Sequence, residues 1–497
     1  MTLTQHLFSD PVGSESARRR CTTIRDSLIR AGLYAPTLPE AAEDRSSSER
    51  RARWRIAPSP FPLSQEETAF FRMLGQDLLA FYRALNRLYL ESARGAMPGW
   101  VSGYLDQGKP ESLVAFARMN RFRQALPAVI RPDVIPTATG MAITELDSVP
   151  GGIGLTACLA QSYADLDGRS QRLIGGRDGM VQGFTAMLRS AQADVADCIA
   201  IVVSEEAKDY RPEMRWLAHR LSDIGLETYC VEPREVRFSE EGLSLAVDGR
   251  DRRVGLIYRF FELFDLKNIP KAELMMYAAK KARVTVTPPY KPALEEKLAF
   301  GLLHHPVLQT YWRRELGEPI HTRLLSLMPR TWILDPRPVP PTGIIPDLSM
   351  SGAPISDYRE LGRASQKERQ WVVKPSGFSE LAWGSRGVAI GHDLSQPDWS
   401  EALTRALDAF PTTPHVLQEF HKGRLFDCAY ADEADHLIGM TGRVRLSPYY
   451  FVVNEKVELG GILATVCSAD KKIIHGMEDA IMAPCSEAPD AGSSSNS

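Results

Sequence analysis

The chain has 497 residues, of which 44% are hydrophobic and 24% charged, and a net charge of −3. That length fits two or three lobes of a soluble globular protein better than one small core. The near-neutral balance excludes bulk electrostatic attraction to nucleic acid or an anionic membrane. Seven cysteines, Cys21, Cys158, Cys198, Cys230, Cys428, Cys467 and Cys485, are scattered and without a CxxC pair, which fits a reducing compartment and argues against a zinc site. The N-terminus carries charge where a signal peptide needs an apolar core, and no stretch approaches the ~20 apolar residues of a membrane span. A cytoplasmic location is expected. Residues 1–62, rich in Ser, Arg, Glu and Pro, read as an extension that wraps the surface and is partly mobile. From Ser64 to Leu126 apolar residues recur at helical spacing, predicting two or three packed helices.

The segment VIRPDVIPTATGMAITELDSVPGGIGLT, Val129–Thr156, places Glu145 and Asp147 at alternate positions of a short apolar strand. Side chains two apart on a strand project from one face. Both acids can therefore reach one hard cation such as Mg²⁺, which takes a few protein oxygens and fills its shell with water and phosphate. The following turn, with Gly151 and Gly152, lets backbone amides approach an anionic ligand. An ordinary amphipathic strand with a tight turn would read the same way.

Residues 196–290 alternate strand and helix: CIAIVVS, PEMRWLAHRLSDIG, LETYCVE and VGLIYRFF. This implies a separate α/β lobe with a parallel sheet. A Pro-rich loop, Leu334–Gly343, precedes the last third, where Val372–Lys374, Val416–Phe420 and Gly461–Val466 read as strands. The apolar strand ending in Lys374 runs into a Gly/Ser-rich loop with Gly377, Gly384 and Gly387 and then a second strand. A mobile lysine charge beside inward-facing loop amides can cradle a triphosphate, although any glycine-rich hairpin would look alike and no Walker A sequence follows. The strand at Gln418, Glu419 and Phe420 could set backbone groups against an adenine edge. Lys297 lies on a helix after the α/β lobe. Arg443 and Arg445 share one strand face and can bind a carboxylate or hold developing negative charge. Gly460 and Gly461 read as a flexible turn. The tail, 486–497, has a disordered composition.

Taken in order, these pieces resemble the eukaryotic-type glutathione synthetases, which are circularly permuted ATP-grasp ligases. The permutation is the specific part, because the paired acids come before the ATP loop. The similarity runs over roughly Val129–Ala483. It implies an α/β fold built of α+β lobes: a circularly permuted ATP-grasp, an inserted Rossmann-like substrate lobe and N-terminal helices. In that scheme 63–195 carry the helices and the metal-ligand strand, 196–290 the substrate lobe and 291–485 the nucleotide-binding part with its lid.

The resemblance further implies ATP and Mg²⁺ as cofactors, with Glu145, Asp147 and, less directly, Glu380 as metal ligands; Asp147 stands where the family has Asn. Lys297 and Lys374 would meet ATP phosphates, and Val416–Phe420 the adenine. Arg131 would meet the substrate carboxylate, with Asp133, Ser148, Gly151 and Gly152 nearby, and Arg443 or Arg445 would assist at the reacting centre. Gly460–Thr465 would be the substrate lid. Small carboxylate and amine substrates, no nucleic acid or membrane partner, and a dimer are what the resemblance suggests. Two rival readings remain open: a NAD(P)-dependent oxidoreductase using Gly152-x-Gly154-x-x-Ala157 as a dinucleotide fingerprint, and a non-catalytic nucleotide-binding protein on the same fold.

Overall fold

A computed structural model describes residues 14–34, 53–167, 172–191, 197–339, 343–471, 473–474 and 478–488. The architecture is mixed α/β, with an eight-stranded, a six-stranded and a four-stranded sheet and a short two-stranded ribbon among the described residues. No helix among them is long and apolar enough to cross a membrane. The C-terminal tail beyond residue 488 lies outside the described residues, as do 340–342 of the Pro-rich loop.

Helix Gln65–Ala93 opens on a capping box: the Ser64 hydroxyl accepts from the Glu67 amide at 3.1 Å, and the Glu67 carboxylate accepts from the Ser64 amide at 2.9 Å. Such reciprocal bonds satisfy two amides that the first helical turn leaves free. Phe71, Leu74, Leu78, Phe81, Leu85 and Leu88 form its buried stripe, the spacing of an amphipathic helix. Helices Gly99–Asp106 and Glu111–Ala117 follow, completing the predicted helical part.

The N-terminal extension differs from its expectation. Helix Ser14–Arg30 packs Ala17, Cys21, Ile24 and Leu28 into the interior, and Arg53–Arg55 and Phe61–Leu63 are strands that pair in parallel with Glu478–Glu487. The apolar residues recur at helical intervals, a signal that the surrounding arginines mask. Residues 1–13 and 35–52 lie outside the described residues.

The eight-stranded sheet runs Arg53–Arg55, Glu478–Glu487, Lys456–Ser468, Leu437–Val453, Val129–Pro136 and Met141–Asp147, with Leu425–Ala431 and Phe61–Leu63 added at its sides. It joins residues from both ends of the chain, so the acid-bearing strand and the arginine strand share one surface. In the α/β lobe Thr228–Val231, Cys198–Val203, Arg250–Phe260 and Thr285–Thr287 are parallel neighbours. Helix Arg211–Asp223 crosses between the first two strands in sequence, as the βαβ pattern requires. A hairpin, Arg237–Ser239 with Gly242–Val247, extends this sheet antiparallel. The four-stranded sheet is fully antiparallel: Thr331–Ile333, His415–Glu419, Trp371–Pro375 and Ala389–Ile390. Helix Gln396–Asp408 covers it through Trp399, Leu403 and Leu407.

Candidate active site

Strands Val129–Pro136 and Met141–Asp147 pair so that Arg131 faces Asp147 and Asp133 faces Glu145. Pleating puts all four side chains on one side of the sheet, beside Arg445 of the neighbouring strand. Arg131 lies 2.9 Å from Asp147 and 3.3 Å from Asp133, while Arg445 reaches Asp133 at 3.2 Å. The Ser447 hydroxyl donates to Asp133 at 3.1 Å. Burial opposes ionisation of Asp133, but Arg131, Arg445 and the Ser447 hydroxyl hold its carboxyl below the usual range. Asp147 moves the other way: burial, with Glu145 nearby, raises it against the pull of Arg131.

Next to this cluster lies a cleft enclosing about 390 Å³, open solvent included, walled by Phe81, Tyr82 and Phe300 and ringed by Glu145, Lys297 and Lys374. Lys297, at the start of helix Leu298–His304, pairs with Glu145 at 2.7 Å. Burial works against the charge on Lys297, yet Glu145 raises its ammonium above the ordinary value. Lys374, on strand Trp371–Pro375, donates to the Gln418 side-chain oxygen at 2.7 Å and the Thr144 carbonyl at 3.1 Å. Burial lowers it to about 8, with Glu145 pulling upward. Four separate elements thus bring Glu145, Lys297, Lys374 and Gln418 to one cleft.

Glu145 and Asp147 offer hard oxygen donors on one strand face, a donor set that suits Mg²⁺ completed by phosphate and water. Glu380 does not join them: it opens the short helix Glu380–Ser385 as an exposed residue, and no group of three or more His, Cys, Asp or Glu able to hold a metal forms among the described residues. The loop glycines behave differently from one another. The Gly377 amide donates to Glu296 at 3.3 Å, whereas Gly384 is exposed. In the expected adenine strand, Gln418 lines the cleft, but the amides of Glu419 and Phe420 already donate to the Arg330 and Gln370 carbonyls.

The two arginines of strand Leu437–Val453 part company. Arg445 faces Asp133, whereas Arg443 donates to the carbonyls of Gly423 and Ala469, away from the acids. Gly460 and Gly461 are not a lid. Both lie buried inside strand Lys456–Ser468, where Gly461 pairs with Tyr449 and Gly460 sits at an irregularity in that pairing, and Gly460 meets residues 175–179 backbone to backbone. A Cβ on Gly460 would come within 2.4 Å of the Phe451 ring, so close packing explains the pair of glycines.

The Gly151–Gly152 turn is likewise occupied by the protein. The buried Glu213 carboxylate accepts from the Gly152 amide at 2.7 Å and the Leu155 amide at 2.9 Å, filling the anion-binding start of helix Ile153–Asp167. A Cβ on Gly154 would lie 2.4 Å from the Glu213 carbonyl oxygen, and one on Gly151 2.1 Å from the Tyr210 ring. These glycines serve helix packing and an internal cap. Ser148, buried at the end of the acid strand, is without a hydrogen-bond partner for its hydroxyl.

Sequence reasoning missed Glu213, Glu296 and Lys109. The first carries no local signature, because its partners lie about sixty residues away. The second was legible as one acid of the Glu295-Glu296-Lys297 run.

No family model matches the chain. No curated protein matches it either. Among solved structures, one described as a candidate gamma-glutamylcysteine synthetase from Methylobacillus flagellatus KT is similar over 80% of this chain and 85% of its own, at 10% identity and a TM-score of 0.38. That likeness is too loose to carry fold or activity across.

Proposed function

We propose that the protein is an ATP-dependent carboxylate–amine ligase that forms an amide through an acyl phosphate. The observation that carries this reading is the convergence of Lys297 and Lys374, from separate elements, on Glu145 in one cleft beside Arg131 and Arg445. A polyphosphate needs several fixed cations, and a carboxylate substrate needs a fork of donors. The resemblance to permuted ATP-grasp ligases supplies the reaction class.

In this reading a substrate carboxylate oxygen attacks the γ-phosphorus of ATP, the bond to ADP breaks, and an acyl phosphate forms. An amine then attacks the acyl carbon, loses a proton and expels phosphate. Lys297 and Lys374 hold phosphate oxygens, Gln418 fixes Lys374 and borders the nucleotide, and Arg131 with Arg445 orients the carboxylate. Glu145 and Asp147 would hold Mg²⁺, which would supply charge neutralisation at the transferring phosphate. Without ligands Glu145 is matched to Lys297 and Asp147 to Arg131, so nucleotide binding exchanges internal partners for external ones. Holding acid, ATP and amine together contributes up to about 7–11 kcal/mol of the barrier in well-oriented systems. The α/β lobe selects the substrate.

The dinucleotide alternative loses its anchor, because Glu213 already occupies the amides that a pyrophosphate would need. The test is phosphate release from ATP and Mg²⁺ against a panel of amino acids, γ-glutamyl dipeptides and small amines, with products weighed by mass spectrometry. A product equal to acid plus amine minus water supports the ligase. ATP binding without turnover of any pair would leave a binding protein, and no ATP binding would remove the proposal.

A further inference from the structure

A buried ion pair ties the glycine-rich loop to the start of the Lys297 helix. Lys109, in the loop between helices Gly99–Asp106 and Glu111–Ala117, contacts the Glu296 carboxylate, and both side chains are 0% exposed. The second Glu296 oxygen accepts from the Gly377 amide at 3.3 Å. The Lys109 ammonium also sits 5.6 Å from the centre of the Phe378 ring, the residue after Gly377. Glu296 borders the cleft and immediately precedes Lys297.

The Lys109 segment is itself anchored to the turn between helix Gln396–Asp408 and strand His415–Glu419. The Gln107 side chain donates to the Pro411 carbonyl at 2.6 Å, and a Cβ on Gly108 would lie 2.0 Å from the Thr412 carbonyl oxygen. The loop contact is equally close: a Cβ on Gly377 would come within 1.9 Å of the Glu295 carbonyl oxygen. Three segments distant in sequence therefore meet at one carboxylate.

Stability alone does not explain the pair. Removing two charges from water is costly, and a well-packed apolar pair of similar size usually stabilises a fold as well or better. Neither the Lys109 ammonium nor the Glu296 oxygen facing it has a conventional hydrogen bond to complete its shell. What the pair does provide is a fixed position for Gly377 and Phe378 relative to Lys297.

We infer that Lys109 and Glu296 are positioning residues that hold the loop Ser376–Gly387 in register with Lys297, so that nucleotide meets an already ordered loop. The inference rests on the proposed nucleotide site. Affinity falls by the fraction of molecules whose loop is correctly placed. If release of the latch leaves a tenth of them competent, the nucleotide dissociation constant rises about tenfold.

The test is the double variant Lys109→Met/Glu296→Leu, which removes both charges and the acceptor for Gly377 without leaving either partner buried alone. Binding of Mg·AMP-PNP is measured by calorimetry, and amide hydrogen exchange of residues 376–387 is followed in the ligand-free protein. The expected result is an unchanged or higher melting temperature, faster loop exchange and affinity lower by about tenfold. Unchanged exchange and affinity in a stable variant would overturn the inference while leaving the proposed function standing. Absence of Mg·AMP-PNP binding to the unaltered chain would instead overturn the proposed function, and the inference with it. Should the double variant not fold, Gly377→Ala keeps both charges but pushes the loop off the Glu295 carbonyl and so away from its Glu296 acceptor, and it is expected to show the same two changes; wild-type values there would refute the inference.

Discussion

Glu145 and Lys297 stand 2.7 Å apart and are partly screened from water, so each is matched in charge until a ligand takes both. Glu145→Gln keeps the shape and removes the charge. Turnover is expected to fall on the order of a hundredfold or more, the usual effect of losing an aligned electrostatic group, with little change in melting temperature; unaltered turnover would take Glu145 out of the mechanism. Lys374→Ala removes a buried cation whose nearest partners are Gln418 and the Thr144 carbonyl. Mg·ATP affinity should drop about ten- to a hundredfold, as expected for a charged hydrogen bond, and titration calorimetry reads it directly. Glu213 makes a pH prediction. Burial raises its carboxyl from 4.5 to about 7, against the pull of the Gly152 and Leu155 amides. A folded-state value above the unfolded one means stability that is fully present below pH 4.5 and is lost as pH rises through about 7. The linked change is roughly 3 kcal/mol. Urea midpoints measured between pH 5 and pH 8 should therefore decline for the native chain relative to Glu213→Gln, and parallel curves would contradict this.

At the level of elements, the glycine pair of strand Lys456–Ser468 separates two accounts of the same sequence. A lid would tolerate Gly460→Ala in stability and lose activity. A packed strand, with the Phe451 ring 2.4 Å from the added Cβ, should lose about 1–3 kcal/mol in urea unfolding. The strand account predicts the second outcome. The helix Ser14–Arg30 shows the reverse error in reading. Cys21, Ile24 and Leu28 carry a helical stripe that is fully buried, yet the arginines between them make the segment look solvated. Amphipathic helices with a narrow apolar stripe are easily taken for surface chain when composition is weighed over periodicity.

Across the whole molecule, local pattern gave the strand–helix alternation of 196–290, the packed helices between Ser64 and Leu126 and the hairpin after Lys374, because each is written in residues close together in sequence. The acid strand was also legible: Glu145 and Asp147 do share a face with Arg131, Asp133 and Arg445. Long-range pairing was not. Nothing near Gly152 announces Glu213, nothing near Gly377 announces Lys109, and the divergence of Arg443 from Arg445 depends on which carbonyls flank the strand. The large sheet draws together strands from residues 53–63, 129–147 and 425–487, a grouping that no window of sequence displays. The measurement that tests the central claim most directly is oxygen transfer. With candidate acids labelled by oxygen-18 in the carboxyl group, ATP, Mg²⁺ and the amine panel, phosphate released during amide formation should carry one labelled oxygen from the acid. Amide formation with unlabelled phosphate, or no phosphate release with any pair, would contradict the account.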